Sequence, residues 1–235
     1  PFIAMRLIER LVTSNPSPGY VERVAATFDN NGLGVRGDLA AVVQAILLDP
    51  EARPGLRMDT DGKLKEPLLR VTQLWRAYDG AAASGSYAIP GAYIIFGQGP
   101  LQSPSVFNFF SPSYAPPGEI KDRGLVAPEL EIATEYQNTL MTNLFAFYTF
   151  VLNQQNPDLR DDQIAIDLAD EIALAGDPEA LIDLVDGKLL GGAMSTTLRG
   201  EIEGMLARIP ESEALARAAE AVYLTATSPE YAYQK

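Results

Sequence analysis

Apolar residues recur along most of the chain at the spacing of one face of an α-helix. The clearest example is 39–47, where apolar side chains occupy the i, i+3, i+4, i+7 and i+8 positions behind an N-capping Asp38. Ser17-Pro18 is a comparable start signal, because a capping hydroxyl precedes a proline at the first helical position. The pattern predicts helices over 2–14, 18–28, 39–48, 66–78, 128–153, 161–175, 178–186, 196–208 and 212–226, with a short helical cap at 228–230.

Residues 79–128 do not show this pattern. They contain seven of the nineteen glycines and seven of the seventeen prolines, so helices of ordinary length are not expected to persist there. We expect a long ordered loop, in which Ala92–Phe96 (AYIIF) is a candidate short strand. The predicted fold class is all-α: an irregular multi-helix single domain over 1–235, with N-terminal helices in 1–78, the loop in 79–128, C-terminal helices in 129–235, and at most a short strand or hairpin.

The charge balance limits the classes of partner. The chain carries 31 acidic and 18 basic side chains, a net charge of −13, which repels phosphate backbones and argues against binding nucleic acid or an anionic membrane surface. The stretch 136–157 has no charged residue, but polar residues interrupt it and its more apolar part covers only 140–152. A bilayer span needs roughly 20 predominantly apolar residues, so we expect a buried helix and no membrane span.

Histidine and cysteine are both absent from the chain. This removes imidazole, thiolate and the commonest zinc ligands, and it leaves carboxylates, hydroxyls, lysines, arginines and tyrosines for chemistry. No cofactor is expected. Glu129, Glu131 and Glu135 are the candidate catalytic residues, at the start of the predicted long helix, where Glu131 and Glu135 would share a face. Paired carboxylates serve glycoside hydrolysis, whereas acidic residues in a first helical turn also suit the helix dipole. We favour the capping interpretation.

Two segments offer oxygen ligands for a cation. Asp59 and Asp61 resemble the opening of an EF-hand loop, but its sixth and twelfth positions are here Leu64 and Arg70 instead of glycine and an acidic residue. A solvated turn is therefore favoured over a metal site. The run 29–32 (DNNG) also carries side-chain oxygens, although Asn-Gly turns are common for backbone reasons alone.

The aromatic and proline-rich segment 103–118 is the most unusual part of the chain. Its aromatic side chains could line a groove for a sugar or an extended peptide, or they could fold inward as a plug for the core. We favour the plug. The candidate binding residues of this segment and its neighbourhood are Tyr87, Tyr93, Phe107, Phe109, Phe110 and Tyr114.

Several short motifs, in order along the chain, resemble one bacterial family. They are 10–18 (RLVTSNPSP), 34–39 (GVRGDL), 45–53 (AILLDPEAR), 62–67 (GKLKEP), 103–110 (SPSVFNFF) and 227–231 (TSPEY). These motifs are similar to the C-terminal half of the domain-of-unknown-function family eighteen hundred (DUF1800), and the resemblance spans nearly the whole chain. It implies a protein that is often exported, that is frequently encoded beside an exported sulfatase-like protein, and that has no established catalytic residues.

The same resemblance bears on the chain's context. In the family, a His-Pro element usually precedes the segment that matches Phe2, and the family's N-terminal half carries histidines. We therefore expect this chain to be the C-terminal part of a longer protein, with its own N-terminal half and a sulfatase-like exported protein as possible partners.

Three functions remain open at this point. The leading hypothesis is an exported, non-catalytic binding or assembly module in the periplasm, at the cell surface or outside the cell. The alternative is a carboxylate-based hydrolase of extracellular polysaccharide, which opposing carboxylates about 5–10 Å apart in a cleft would favour. The third is that the chain completes a core with its N-terminal half, which a broad apolar face on the first helix would favour.

Overall fold

The computed structural model describes residues 1–53 and 62–234. Within them it contains twelve α-helices and one antiparallel pair of two-residue strands, so the all-α prediction is confirmed. The helices are α1 (Phe2–Leu11), α2 (Pro18–Asp29), α3 (Leu39–Leu48), α4 (Pro67–Ala77), α5 (Ala92–Phe96), α6 (Glu119–Asp122), α7 (Glu135–Phe150), α8 (Ala169–Ala173), α9 (Pro178–Leu190), α10 (Thr196–Leu206), α11 (Ala214–Thr227) and α12 (Pro229–Ala232). The strands are β1 (Lys63–Leu64) and β2 (Tyr233–Gln234), and 3-10 helices cover Pro50–Ala52 and Pro128–Glu131.

The described residues divide into two compact units. The first unit takes its residues from 1–53, 62–64, 110–131 and 233–234, and the second from 65–109 and 132–232. None of the helices in these described segments has both the length and the apolar character that a membrane crossing needs. The single-domain organisation expected from the sequence stays a prediction.

Helix starts follow the predicted capping residues. The Ser17 hydroxyl accepts a hydrogen bond from the Tyr20 N–H at the start of α2, and the Asp38 carboxylate accepts one from the Ala41 N–H at the start of α3. Each cap satisfies a backbone donor that has no partner inside its helix. These two starts are therefore encoded within a few residues of the chain.

The first unit packs α1, α2 and α3 around a small apolar core. Tyr20 is fully buried there, and its hydroxyl donates to the Ile46 carbonyl at 2.7 Å, so its polar tip is satisfied inside the core. Each buried large apolar side chain contributes roughly 1.5–3 kcal/mol by leaving water. The other buried core residues of this unit are Ala4, Ile8, Val24, Ala25, Val42 and Ile46.

The second unit is built around α11, which contacts α7, α8, α9 and α10. Its buried alanines at 218, 219, 221 and 226 allow neighbouring helices to approach closely. Arg217 is buried on the same helix, and its guanidinium donates to the carbonyls of Ala175, Leu206 and Ile209. This buried cation is thus satisfied by backbone oxygens.

The segment Ala92–Phe96 is a short helix, so the expectation of a strand is wrong. Gly91 and Gly97 flank it in left-handed backbone conformations, with φ of 73° and 64°. Ala92 and Phe96 are its buried residues and lie four positions apart, which places both on one helical face. A five-residue apolar run carries too few positions for periodicity to separate a strand from a helix.

The long helix α7 begins at Glu135 instead of Pro128. Thr134 provides its N-cap, and Pro128–Glu131 forms a separate 3-10 turn. Only Glu135 of the three candidate glutamates therefore lies in the first turn of the long helix, where the dipole favours it. The expectation that Glu131 and Glu135 share a face of this helix is wrong.

The predicted helix over 161–175 is reduced to α8. The Ala165 N–H donates to the Ala81 carbonyl and the Ile166 N–H donates to the Leu152 carbonyl, both at 2.9 Å. Because these backbone donors are committed to distant segments, they cannot form the i to i−4 bonds of a helix. Ile164, Ala165, Ile166 and Leu168 are all buried in this non-helical stretch.

Candidate functional site

A cleft of about 670 Å³ opens in the second unit, between one face of α4 and the segment 79–100 that follows it. This volume lies in the range of small-molecule sites. The lining residues combine an apolar floor with two charged groups, the hydroxyls of Thr72 and Tyr87, and two aromatic rings. They are Leu68, Thr72, Trp75, Arg76, Asp79, Gly80, Tyr87, Ile89, Ala92 and Pro100.

The helical repeat explains which residues of α4 form one wall of the cleft. Leu68, Thr72 and Trp75 are four and three residues apart and therefore lie one above another on one face. The start of this helix is tied to the following segment by the buried Gln98. Its Oε1 accepts from the Leu68 N–H at 3.3 Å, and its Nε2 donates to Glu66 Oε2 at 2.6 Å. These bonds hold the rim of the cleft to the first turn of α4.

The aromatic wall consists of Trp75 and Tyr87, whose ring centroids are 6.2 Å apart with the planes tilted by 52°. Trp75 is only 7% exposed, and Tyr148 packs edge-on behind it at 5.8 Å. Burial raises the pKa of Tyr148 to about 12, so its hydroxyl is neutral at physiological pH. Tyr87 is 59% exposed and presents its ring to solvent at the mouth of the cleft. A fixed indole and an accessible phenol thus share one wall.

Asp79 holds an unusual backbone conformation at the end of α4. The Gly80 N–H donates to the Trp75 carbonyl at 2.7 Å, which makes Asp79 the left-handed residue of a Schellman motif, with φ of 46°. Glycine is the usual residue at this position because a side chain is strained there. An acidic side chain is doubly unfavourable, since the helix dipole is negative at its C-terminus.

The two charged groups of the cleft are not used to stabilise the fold. Among the ion pairs and side-chain hydrogen bonds of residues 1–53 and 62–234, none involves the side chain of Arg76 or of Asp79. The residues are three positions apart, yet they do not pair with each other. A guanidinium and a carboxylate therefore face solvent in the same cleft. In the described part of the chain, the guanidinium donors and the carboxylate oxygens have no side-chain partner, so they can bind a ligand.

Gly80 allows the chain to turn tightly against the indole. A Cβ built on this residue would lie 3.0 Å from both the Cα and the Cβ of Trp75, closer than nine in ten Cβ contacts in folded proteins. Its role is steric and differs from that of the glycines that supply a positive φ. The Asp79-Gly80 pair after a helical pattern is the local signal that could have pointed to this cleft.

The predicted binding residues are dispersed. Tyr87 lines the cleft, whereas Tyr93 and Phe107 are exposed outside it. Phe109 belongs to the second unit and is half-buried, while Phe110 and Tyr114 are half-buried in the first unit. The aromatic segment therefore does not form one groove within either unit.

The plug interpretation of the same segment is wrong at its tip. Val106 is 94% exposed and Phe107 is 67% exposed, so neither fills a core. Hydrogen bonds within the segment, such as the one from the Asn108 N–H to the Ser105 carbonyl, fold it back on itself. Hydrophobicity alone predicted burial here, but the tight turn at Ser105–Asn108 directs these side chains outward.

Glu129 and Glu131 have structural partners. Glu129 is buried and lies 3.0 Å from Lys63 Nζ, which also donates to the carbonyls of Glu9 and Arg10 at the end of α1. The Glu131 carboxylate accepts from the Ser111 N–H at 2.6 Å. Neither of these glutamates lines the cleft, and neither does Glu135.

The candidate cation ligands are not assembled into a site in the described part of the chain. Asp59 and Asp61 lie outside the described residues. The side-chain oxygen of Asn30 accepts from the Gly32 and Gly34 N–H groups, and Asn31 uses its oxygen in the same way. Within 1–53 and 62–234, no three acidic side chains converge in a geometry that could hold a metal ion.

Fold and cleft together define a small helical protein with an aromatic-walled cleft, whose two charged side chains have no ion-pair partner among the described residues. The family model described as "Protein of unknown function (DUF1800)" matches residues 1–233, and the chain belongs to this family. Comparison with curated proteins and with solved structures found no match.

Proposed function

We propose that the chain is a non-catalytic binding module whose cleft takes a saccharide. The observation that carries this proposal is Asp79, a carboxylate held in a strained backbone position at the wrong end of a helix dipole, in the wall of a cleft. Its side chain has no partner among residues 1–53 and 62–234. Strain of this kind clusters at functional sites, and here a glycine would remove both costs.

The groups around Asp79 suit a sugar ring. The exposed face of Tyr87 can pack against the C–H face of a pyranose, as aromatic rings do with amphipathic ligands. Asp79 can accept hydrogen bonds from two neighbouring hydroxyls, and Arg76 can donate to others. Since one cation and one anion face the cleft, its charged side chains balance, which favours a neutral polar ligand over a charged one.

The polysaccharide hydrolase has less support. Glycoside hydrolysis by acidic residues requires two carboxyl groups that flank one bond. Among the described residues that line the cleft, Asp79 is the only carboxylate. The three glutamates suggested by the sequence lie elsewhere, so binding without turnover is the better-supported function.

We further propose, from the family resemblance, that the module acts outside the cytoplasm. In this proposal it assembles with the N-terminal half of its own protein, and a sulfatase-like exported protein is a possible partner. The acidic surface suits a salt-rich exterior, where mobile ions screen its self-repulsion. Cell fractionation of the natural host, with antibodies to this chain, tests the location independently of ligand binding.

Isothermal titration calorimetry with oligosaccharides tests the binding proposal. The probes are hexasaccharides of β-1,4-glucose, α-1,4-glucose and β-1,4-N-acetylglucosamine. We expect saturable binding of at least one probe, weakened roughly tenfold in Tyr87→Ala because one aromatic contact is lost.

Tyr93→Ala is the matched control, because Tyr93 is comparably exposed but does not line the cleft. Its affinity should stay within about twofold of the unsubstituted chain. Equal losses in the two variants would contradict a site in the cleft, and so would hydrolysis of a bound probe detected by chromatography.

A further inference from the structure

A second cluster in the same unit contains two cations packed on aromatic rings. Lys65 Nζ lies 4.0 Å from the ring centroid of Tyr231 and donates to Gln73 Oε1 at 2.7 Å. The guanidinium carbon of Arg70 lies 5.5 Å from the ring centroid of Phe145. Phe145 and Tyr231 meet edge to face at 6.0 Å, so the four side chains form one continuous cluster.

Neither cation has an anionic partner in the part of the chain that the structure describes. Across residues 1–53 and 62–234, no carboxylate lies within ion-pair distance of Lys65 or Arg70. Arg70 is only 8% exposed, and its Nε is buried without a hydrogen-bond partner. The chain has 31 acidic residues for 18 basic ones, so a shortage of carboxylates is not the reason.

A comparison with Arg217 shows which hydrogen bonds Arg70 lacks. Arg217 is equally buried, but three backbone carbonyls accept its hydrogen bonds. Buried guanidinium donors are normally satisfied in this way, and an orphaned donor needs an explanation. A ligand that supplies oxygens to Arg70 is such an explanation.

The position of Lys65 and Arg70 near the start of α4 adds to the positive potential around them. Lys65 lies two residues before the helix, and Arg70 is its fourth residue. A helix N-terminus favours anions and disfavours cations, so both charges stand at the end of α4 that suits them least. Burial, together with the charge of Arg70, lowers the pKa of Lys65 to about 8. Each of these costs falls when an anion binds.

We propose that Lys65 and Arg70 form a binding site for a tetrahedral oxyanion, either a free ion or a sulfate or phosphate monoester. The guanidinium supplies a planar fork of N–H donors, and the ammonium supplies a point charge beside it. Neither side chain lines the saccharide cleft, so this site stands independently of the proposed function.

Affinity for the oxyanion depends on pH through Lys65. Its ammonium lies near Tyr231, Arg70 and Gln73. Burial raises the pKa of Tyr231, so its phenol stays protonated, and Arg70 stays cationic although burial lowers its pKa. Gln73 carries no charge, and the neighbouring Glu66 directs Oε2 to Gln98. Binding is therefore strongest below pH 8 and weakens as the pH rises through 8.

Calorimetric titration with sulfate at constant ionic strength tests the site. Sulfate does not change its charge between pH 6 and 9, so any pH dependence reports on the protein. We expect saturable binding, with uptake of about half a proton at pH 8, measured in buffers of different ionisation enthalpy. A parallel titration with glycerol phosphate separates the two sources, because tighter binding of the ester indicates a monoester ligand.

Substitutions identify the residues. Lys65→Met and Arg70→Met should each weaken sulfate binding roughly tenfold or more, because each removes a charged hydrogen-bond donor. Arg160→Met is the control, since Arg160 is an exposed arginine of the same unit that pairs with Asp162. Its affinity should stay within about twofold.

Three results would overturn the proposal. The first is the absence of saturable sulfate binding to the unsubstituted chain. The second is sulfate binding to Lys65→Met as tight as to the unsubstituted chain, and the third is binding without proton uptake at pH 8. All three results remain decisive even where Arg70→Met fails to fold.

Discussion

Asp79 is the residue where stability and the proposed binding conflict most sharply. We expect Asp79→Gly to raise the free energy of unfolding by roughly 0.5–1 kcal/mol, because relief of the left-handed strain exceeds the entropy that glycine adds to the unfolded chain. The same change removes a ligand group and should weaken saccharide binding. Urea denaturation and calorimetry on one preparation measure both effects.

Asp79→Asn separates the effect of the negative charge from the effect of the strained backbone. Asparagine tolerates the left-handed conformation about as well as aspartate, but it has no charge. This variant should lose affinity with a smaller gain in stability than Asp79→Gly. A loss of stability in Asp79→Gly would mean that the Asp79 side chain supports the fold.

Gly80→Ala tests the packing of the cleft against Trp75. The added methyl would lie 3.0 Å from backbone and side-chain atoms of Trp75 that cannot move without shifting α4. We expect a loss of roughly 1–3 kcal/mol in the free energy of unfolding. Gly187→Ala in α9 is the matched control, because its methyl meets nothing within 4 Å and should stabilise by roughly 0.5–1 kcal/mol.

At the scale of elements, the link between α2 and the end of α3 should respond to acid. Arg23 donates to both carboxylate oxygens of Asp49 at 2.8 Å, and this contact is the main cause of the lowered pKa of Asp49. Because the pKa is lower in the folded state, the contribution to stability is present above about pH 4. It is lost as the pH falls through the folded-state value.

We therefore expect Arg23→Met to lower stability at pH 7 and to flatten the loss between pH 4 and pH 2, as measured by urea denaturation at each pH. Arg36→Met is the comparison, since Arg36 makes an exposed pair with Asp29 in the same unit. Its profile should follow that of the unsubstituted chain. Parallel profiles for all three proteins would show that the Arg23 contact does not control acid stability.

How far the sequence predicts each element depends on where its partners lie. The starts of α2 and α3 follow from Ser17 and Asp38, because a cap acts within three residues. The 3-10 turn at Pro128–Glu131 was not predictable in the same way. Glu129 there pairs with Lys63, and no local pattern announces a partner so distant along the chain.

The residues of the cleft were likewise only partly predictable from the sequence. Aromatic content predicted Tyr87 as a binding residue, but it also predicted Phe107, which stands exposed outside the cleft. What separates them is the path of the segment 79–100, which depends on contacts such as Gln98 with Glu66. Trp75 looked like an ordinary core residue of a helix, and only the fold shows that one side of it faces the cleft.

At the scale of the whole molecule, the helical class followed from periodicity, because most described helices keep a continuous apolar stripe. The division into two compact units did not, since the first unit combines residues from both ends of the chain with 110–131. The amino-acid composition nevertheless provides a spectroscopic probe of the cleft. The chain contains a single tryptophan, Trp75, so its indole fluorescence reports on the cleft alone.

A fluorescence titration of the intact chain with the hexasaccharide that binds in calorimetry therefore tests whether the saccharide lies in the cleft. A sugar against Tyr87 and Trp75 would displace water from the indole edge, so we expect a blue shift of the emission maximum that saturates at the calorimetric affinity. Asp79→Asn should require higher ligand concentrations for the same shift. Calorimetric binding without any change in tryptophan emission would place the ligand elsewhere and contradict a saccharide site in the cleft.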